Sequence, residues 1–90
     1  MSIKHWINGK QVDRRDRFVT YNPATGDAID EVAAGGAAEI DAAVSAAASA
    51  FPDWANTPAR ERARLMRRLG GLVDQNVPRL ADLETQDTGL

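Results

Sequence analysis

Ninety residues carrying 13 acidic and 11 basic side chains, for a net charge of −2, make at most one small domain with a marginal core. That balance gives no global pull toward nucleic acid or anionic membrane, and 43% hydrophobic against 27% charged residues fits a soluble globular segment rather than a disordered one. The chain has no cysteine, which excludes disulfides, thiolate metal sites and a cysteine nucleophile within these residues.

In chain order, Ile3–Ile7 reads as a strand entering a tight turn at Asn8-Gly9-Lys10, because both Asn and Gly accept positive φ. Gln11-Val12 is the return arm. Asp13–Arg17 is a charged break, and the β-branched and aromatic run Phe18–Tyr21 predicts a strand. In Asn22-Pro23-Ala24-Thr25-Gly26, Pro23 pushes Asn22 out of the α region and Gly26 can take positive φ, so a turn is expected. Asp27–Ala34 reads as a third strand, closed by Gly35-Gly36.

From Ala37 the apolar period becomes helical, with Ile40, Val44, Ala47 and Phe51 on one stripe. Glu39 sits in the first turn, where the helix dipole favours a carboxylate. Phe51-Pro52 is expected to end this helix. Thr57-Pro58 is expected to open a second one, with Thr57 as N-cap and Pro58 at the first helical position. Its apolar stripe is Ala59, Ala63, Met66, Leu69 and Val73, widened by Leu65 and Leu72, and Gly70-Gly71 should weaken it. Asn76-Val77-Pro78 breaks the pattern and starts a third helix, with Leu80, Ala81 and Leu83 on its apolar side and Gly89 as its stop. The fold class expected is α+β: a short antiparallel β element over residues 1–34, then three helices over 37–89. Leu90, a bare hydrophobe one residue past a helix stop, leads us to expect that the chain is part of a longer one.

Little here carries chemistry. Gly35-Gly36 lies between a strand and a helix, the context of a phosphate loop, but the third glycine of that motif is missing and Glu39 would repel a phosphate. His5, the only histidine, reads as a surface residue. Arg60, Arg64, Arg67 and Arg68 share one side of the second helix, with Arg62 nearby. With an acidic overall balance and no interleaved aromatics, they read as a solvated or interdomain face paired with carboxylates such as Glu61 rather than as a nucleic-acid surface. Asp87 falls in the last turn of a helix, where unpaired carbonyls make the potential negative, so it needs a backbone N–H, an arginine or a cation beside it. The Met1–Trp6 start shows no secretory pattern, and the Ala-rich run Ala33–Phe51, broken by Glu39 and Asp41, is unsuited to span a bilayer. A cytoplasmic location is the default expectation.

Taken in order, Trp6-Ile7-Asn8-Gly9-Lys10, Tyr21–Gly26, Ile40–Val44, Phe51-Pro52-Asp53-Trp54, the Arg60–Leu69 helix and Leu83–Gly89 resemble the start of an aldehyde dehydrogenase. Glu61–Gly70 followed by Asp74–Pro78 narrows the resemblance to a semialdehyde dehydrogenase of aromatic-compound catabolism. The resemblance implies the N-terminal part of an α/β coenzyme-binding domain, in a parent enzyme that oxidises an aldehyde to the acid with NAD or NADP. In that chemistry a cysteine thiolate attacks the aldehyde and a glutamate activates water. Both lie beyond the matched region, so the resemblance implies no catalytic and no cofactor-binding residue in this chain, which alone would be inactive scaffold. Its partners would be the remainder of the enzyme and sister subunits of a dimer or tetramer. Members such as betaine aldehyde dehydrogenases also suggest a monovalent-cation site, K+ or Na+, formed here by backbone oxygens of Thr20 and Tyr21 and the Asp87 carboxylate. From a different class, a free-standing α+β interaction module is the alternative.

Overall fold

The structure is a computed structural model and describes residues 2–89; Leu90, on which the expectation of a longer parent partly rests, lies outside them. Five strands precede three helices: β1 Ser2–Ile3, β2 His5–Ile7, β3 Lys10–Val12, β4 Arg17–Tyr21, β5 Ala28–Ala33, α1 Ala37–Asn56, α2 Ala59–Gln75 and α3 Val77–Thr88. The strand expected over Ile3–Ile7 divides at Lys4. β2 and β3 form an antiparallel hairpin pairing His5 with Val12, Trp6 with Gln11 and Ile7 with Lys10, while β1 joins a separate sheet of order β1-β5-β4. That sheet is mixed, since β1 runs parallel to β5 and β4 antiparallel to it.

Both turns take the form their residues dictate. Asn8 and Gly9 have φ of 53° and 73°, the left-handed pair that matches the twist of a two-residue hairpin. At the second turn Asn22 Oδ1 accepts from the Ala24 N–H at 2.9 Å, Gly26 at φ 79° donates to the Asn22 carbonyl at 2.7 Å, and the Asn22 N–H donates to the Asp27 carbonyl at 2.8 Å. A register irregularity between Val19 and Tyr21 lets the Thr20 hydroxyl donate to the Asp30 carbonyl at 3.3 Å.

Two expectations at the α1–α2 junction are corrected. Phe51-Pro52 does not end α1, which continues one turn to Asn56 with Pro52 inside it. Pro52 forfeits only one N–H, and the carbonyls of the following turn are well served. The Thr57 N–H donates to the Trp54 carbonyl at 3.1 Å, the Thr57 hydroxyl to the Asp53 carbonyl at 2.7 Å, and the Arg62 guanidinium to the Ala55 carbonyl at 3.4 Å. Thr57 is therefore the C-cap of α1 and not the N-cap of α2; its hydroxyl is committed backward, Pro58 precedes the first helical residue of α2, and no side chain caps that helix. Gly70-Gly71 stays helical, and α3 ends in Gly89 at φ 75°, whose N–H donates to the Thr85 carbonyl at 2.9 Å.

Packing is the unusual part. Ala33, at 3% exposure, is the only buried hydrophobic residue among those described. The apolar stripes of all three helices are open, with Val44 at 63%, Leu69 at 53% and Leu83 at 48% exposure. The radius of gyration is 16.8 Å, against about 12 Å for a closed domain of this length. α1 leans on the β2–β3 hairpin, and no comparable packing holds α2 or α3 to the sheets.

Candidate functional site

Two clusters gather the residues singled out in the sequence. The first is at the entry to α1. Glu39, three residues past the N-cap Gly36, turns back so that Oε2 accepts from the Gly36 N–H at 3.0 Å, the carboxylate half of a capping box. Arg14, from the loop between β3 and β4, donates to the same oxygen at 3.2 Å and to Asp16 at 3.4 Å. The Gly36 N–H first, then Glu39's own backbone N–H, with the charge of Arg14 adding to them, hold the Glu39 carboxyl below the ordinary glutamate range. A Cβ on Gly36 would meet the Arg14 guanidinium and force the arginine aside, while the His5 ring lies 3.2 Å from where a Cβ on Gly35 would be. A phosphate at this helix entry would have to displace Glu39 from an N–H it already occupies, so these residues do not fit a dinucleotide's phosphates. His5 is half-buried rather than on the surface, and its Nε2 is enclosed without a hydrogen-bond partner.

The second cluster is where the end of α3 meets the Asn22–Gly26 turn. Gly89 lies so close that a Cβ there would come within 3.0 Å of the Ala24 backbone nitrogen and 3.2 Å of Pro23. Gln86 shares a shallow hollow with Asn22, Thr25 and Asp27. This contact brings the helix turn bearing Asp87 to the segment just after Thr20 and Tyr21. Thr20 is half-buried at the strand irregularity, Tyr21 is exposed, and among the described residues no backbone N–H or arginine is bonded to the Asp87 carboxylate. Among the described residues there is also no cluster of three or more His, Asp or Glu side chains suited to a metal ion.

The arginines of α2 divide. Arg64 pairs with Glu61, whose carboxyl is lowered chiefly by that hydrogen bond. Arg62 instead reaches across the junction, donating to the Thr57 carbonyl at 2.8 Å as well as to Ala55. Sequence reasoning missed this role of Arg62. The available signal was its place amid the apolar stripe, between Ala59, Ala63 and Met66, where a lone cation calls for a specific acceptor.

Comparison with known proteins gives this geometry a context. The model of the aldehyde dehydrogenase family matches residues 6–90. The 5-carboxymethyl-2-hydroxymuconate semialdehyde dehydrogenase of Escherichia coli is 62% identical over 88 residues, covering 98% of this chain and 19% of that protein. The malonate-semialdehyde dehydrogenase of Pseudomonas aeruginosa is 36% identical over 89 residues, covering 98% of this chain and 18% of its own length. Among solved structures, a methylmalonate-semialdehyde dehydrogenase from Oceanimonas doudoroffii superposes with a TM-score of 0.89 at 35% identity, over 94% of this chain and 18% of its own. The chain thus spans about a fifth of the length of the relatives it matches. With a family model spanning nearly all of it and solved relatives that share its fold, the chain belongs to the aldehyde dehydrogenase family.

Proposed function

We propose that these residues are the scaffold at the N-terminal side of an NAD(P)-dependent dehydrogenase that oxidises 5-carboxymethyl-2-hydroxymuconate semialdehyde to the corresponding acid. The 62% identity to the Escherichia coli enzyme of that name carries the substrate assignment, well above the 36% shared with the malonate-semialdehyde enzyme. The scaffold role is supported by three open apolar helix faces and a core reduced to Ala33 among the described residues. A free-standing interaction module would need a core of its own.

With no cysteine in these residues, the thiolate nucleophile belongs to the rest of the enzyme, as do the groups that hold the dinucleotide. The dinucleotide supplies the hydride acceptor when bound. The open stripes of α1, α2 and α3 pack against that remainder, in an enzyme assembled as a dimer or tetramer in the cytoplasm. A monovalent cation, K+ or Na+, sits between the backbone oxygens of Thr20 and Tyr21 and the Asp87 carboxylate, and offsets the adverse position of that carboxylate at the end of α3.

The test is a substrate comparison with the full-length enzyme, following nicotinamide reduction with NAD and with NADP. Faster turnover of 5-carboxymethyl-2-hydroxymuconate semialdehyde than of malonate semialdehyde is expected; the reverse preference would reject the substrate assignment. The 90-residue chain alone should give no turnover with either.

A further inference from the structure

We propose that Asn8 is a site of spontaneous deamidation in the folded protein, through a succinimide formed with Gly9. The sequence holds four asparagines, and their surroundings separate them. Asn22 is followed by Pro23, which has no N–H to act as nucleophile, and its Oδ1 is held by the Ala24 N–H. Asn56 is followed by Thr57, whose N–H is committed to the Trp54 carbonyl at 3.1 Å. The Asn76 side-chain amide donates to the Leu72 carbonyl at 2.7 Å, and the next residue is β-branched Val77 at the start of α3.

Asn8 has none of these protections. It is exposed at the tip of the hairpin in the left-handed region, and neither its side-chain amide nor the Gly9 N–H is hydrogen-bonded among the described residues. Gly9 carries no side chain, and nothing lies within 4 Å of where a Cβ would be, so its nitrogen can swing toward the Asn8 side chain.

The chemistry balances with water and base alone. Base removes the Gly9 amide proton, and that nitrogen attacks Asn8 Cγ, forming a C–N bond. The Cγ–Nδ2 bond then breaks and ammonia leaves with the proton it gains, closing a five-membered succinimide. Water adds to one of the two ring carbonyls, and ring opening leaves aspartate or isoaspartate at position 8 with one new negative charge. Isoaspartate lengthens the backbone of a two-residue turn by one carbon. That is incompatible with the Ile7–Lys10 register, and it loosens the hairpin where Ile7, Asn8 and Gly9 face Ala43, Ala46 and Ala47 of α1.

The test uses the full-length enzyme, incubated folded at mildly alkaline pH and then digested with trypsin. Cleavage after Lys4 and Lys10 isolates His5–Lys10, which contains no side-chain amide other than Asn8. The expected result is a mass gain on this peptide matching exchange of an amide NH2 for a hydroxyl. It should arise several-fold faster than in the peptides holding Asn22, Asn56 or Asn76, with methyl transfer to it by an isoaspartate-specific methyltransferase. Asn8→Gly keeps a turn that accepts positive φ and should abolish the methylation. An unchanged His5–Lys10 segment in the folded enzyme, while the same peptide free in solution converts, would overturn the proposal. So would methylation that survives Asn8→Gly.

Discussion

The β element and the helical half solve different halves of the folding problem. Over residues 2–34, His5 Nε2 and the Asn8-Gly9 tip apart, polar groups find partners within the chain: two sets of strand ladders, a hydrogen-bonded turn at Asn22–Asp27, and ion pairs of Arg17 with Asp13 at 2.6 Å and with Glu31 at 3.6 Å. Over residues 37–88 the backbone is equally satisfied by the helices, but the apolar side chains are not covered. Hydrogen bonding is local and can be completed in a short chain, whereas burial of a helix stripe needs a second surface. The helices are therefore complete as secondary structure and incomplete as tertiary structure.

The sharpest way to break this comparison is Leu69→Ala, made in the full-length enzyme and in the 90-residue chain. If the α2 stripe is buried by the remainder, urea unfolding of the full enzyme should show a loss of about 2–5 kcal/mol. In the short chain, where Leu69 is 53% exposed, the change should stay within about 0.5 kcal/mol. The short chain should also bind an apolar dye and unfold without a sharp transition. Equal losses in both chains would mean that the helices carry their own core.

Next in size is the junction. Arg62→Ala removes the donor that serves the Thr57 and Ala55 carbonyls and should cost about 1–3 kcal/mol. Arg62→Lys should recover only part of it, since an ammonium lacks the planar fork. Unfolding of the full-length enzyme followed by circular dichroism checks both variants. A neutral Arg62→Ala would show that the last turn of α1 persists without this clamp.

A smaller effect ties the two regions together at Glu39. Its carboxyl is lowered in the folded state, so the stabilisation it gives is fully present above its ordinary value of 4.5 and is lost as pH falls through the lower folded value. Melting temperature measured across that acid window should fall less steeply in Glu39→Gln than in the parent. Parallel slopes would mean that the Gly36–Glu39–Arg14 contact contributes nothing to the docking of α1. Asp13, lowered chiefly by the Arg14 backbone N–H, titrates in the same direction and remains in both proteins.

Much of the fold was legible because its signals are local. Asn8-Gly9 specified a hairpin and Asn22 through Gly26 a turn, each through the φ values its own residues accept. The extent of α1 was not legible, because the carbonyls of its turn past Pro52 are met by Thr57, which read as a cap for the next helix, and by Arg62 from that helix. The division of the first strand at Lys4 depends on β5, more than twenty residues further on. The apolar stripes were readable as stripes, and nothing among the described residues covers them. The Glu39–Arg14 contact joins positions 25 apart, a distance across which composition and period carry no signal.

The finest comparison is between the two ends that meet at the Asn22–Gly26 turn. The β side holds Thr20 and Tyr21, whose backbone oxygens are the proposed ligands, and the α3 side holds Asp87, a carboxylate with no protein cation bonded to it among the described residues. If a monovalent cation joins them, replacing potassium by a bulky organic cation at constant ionic strength should lower the melting temperature of the full-length enzyme by a few degrees. The same exchange should leave Asp87→Asn nearly unmoved, because an amide oxygen is a weaker ligand and the adverse charge at the helix end is gone. Asp87→Asn without the cation should then be at least as stable as the parent without it. A parent indifferent to the exchange, or an Asp87→Asn variant just as sensitive, would leave Asp87 as a carboxylate tolerated by its solvent exposure alone.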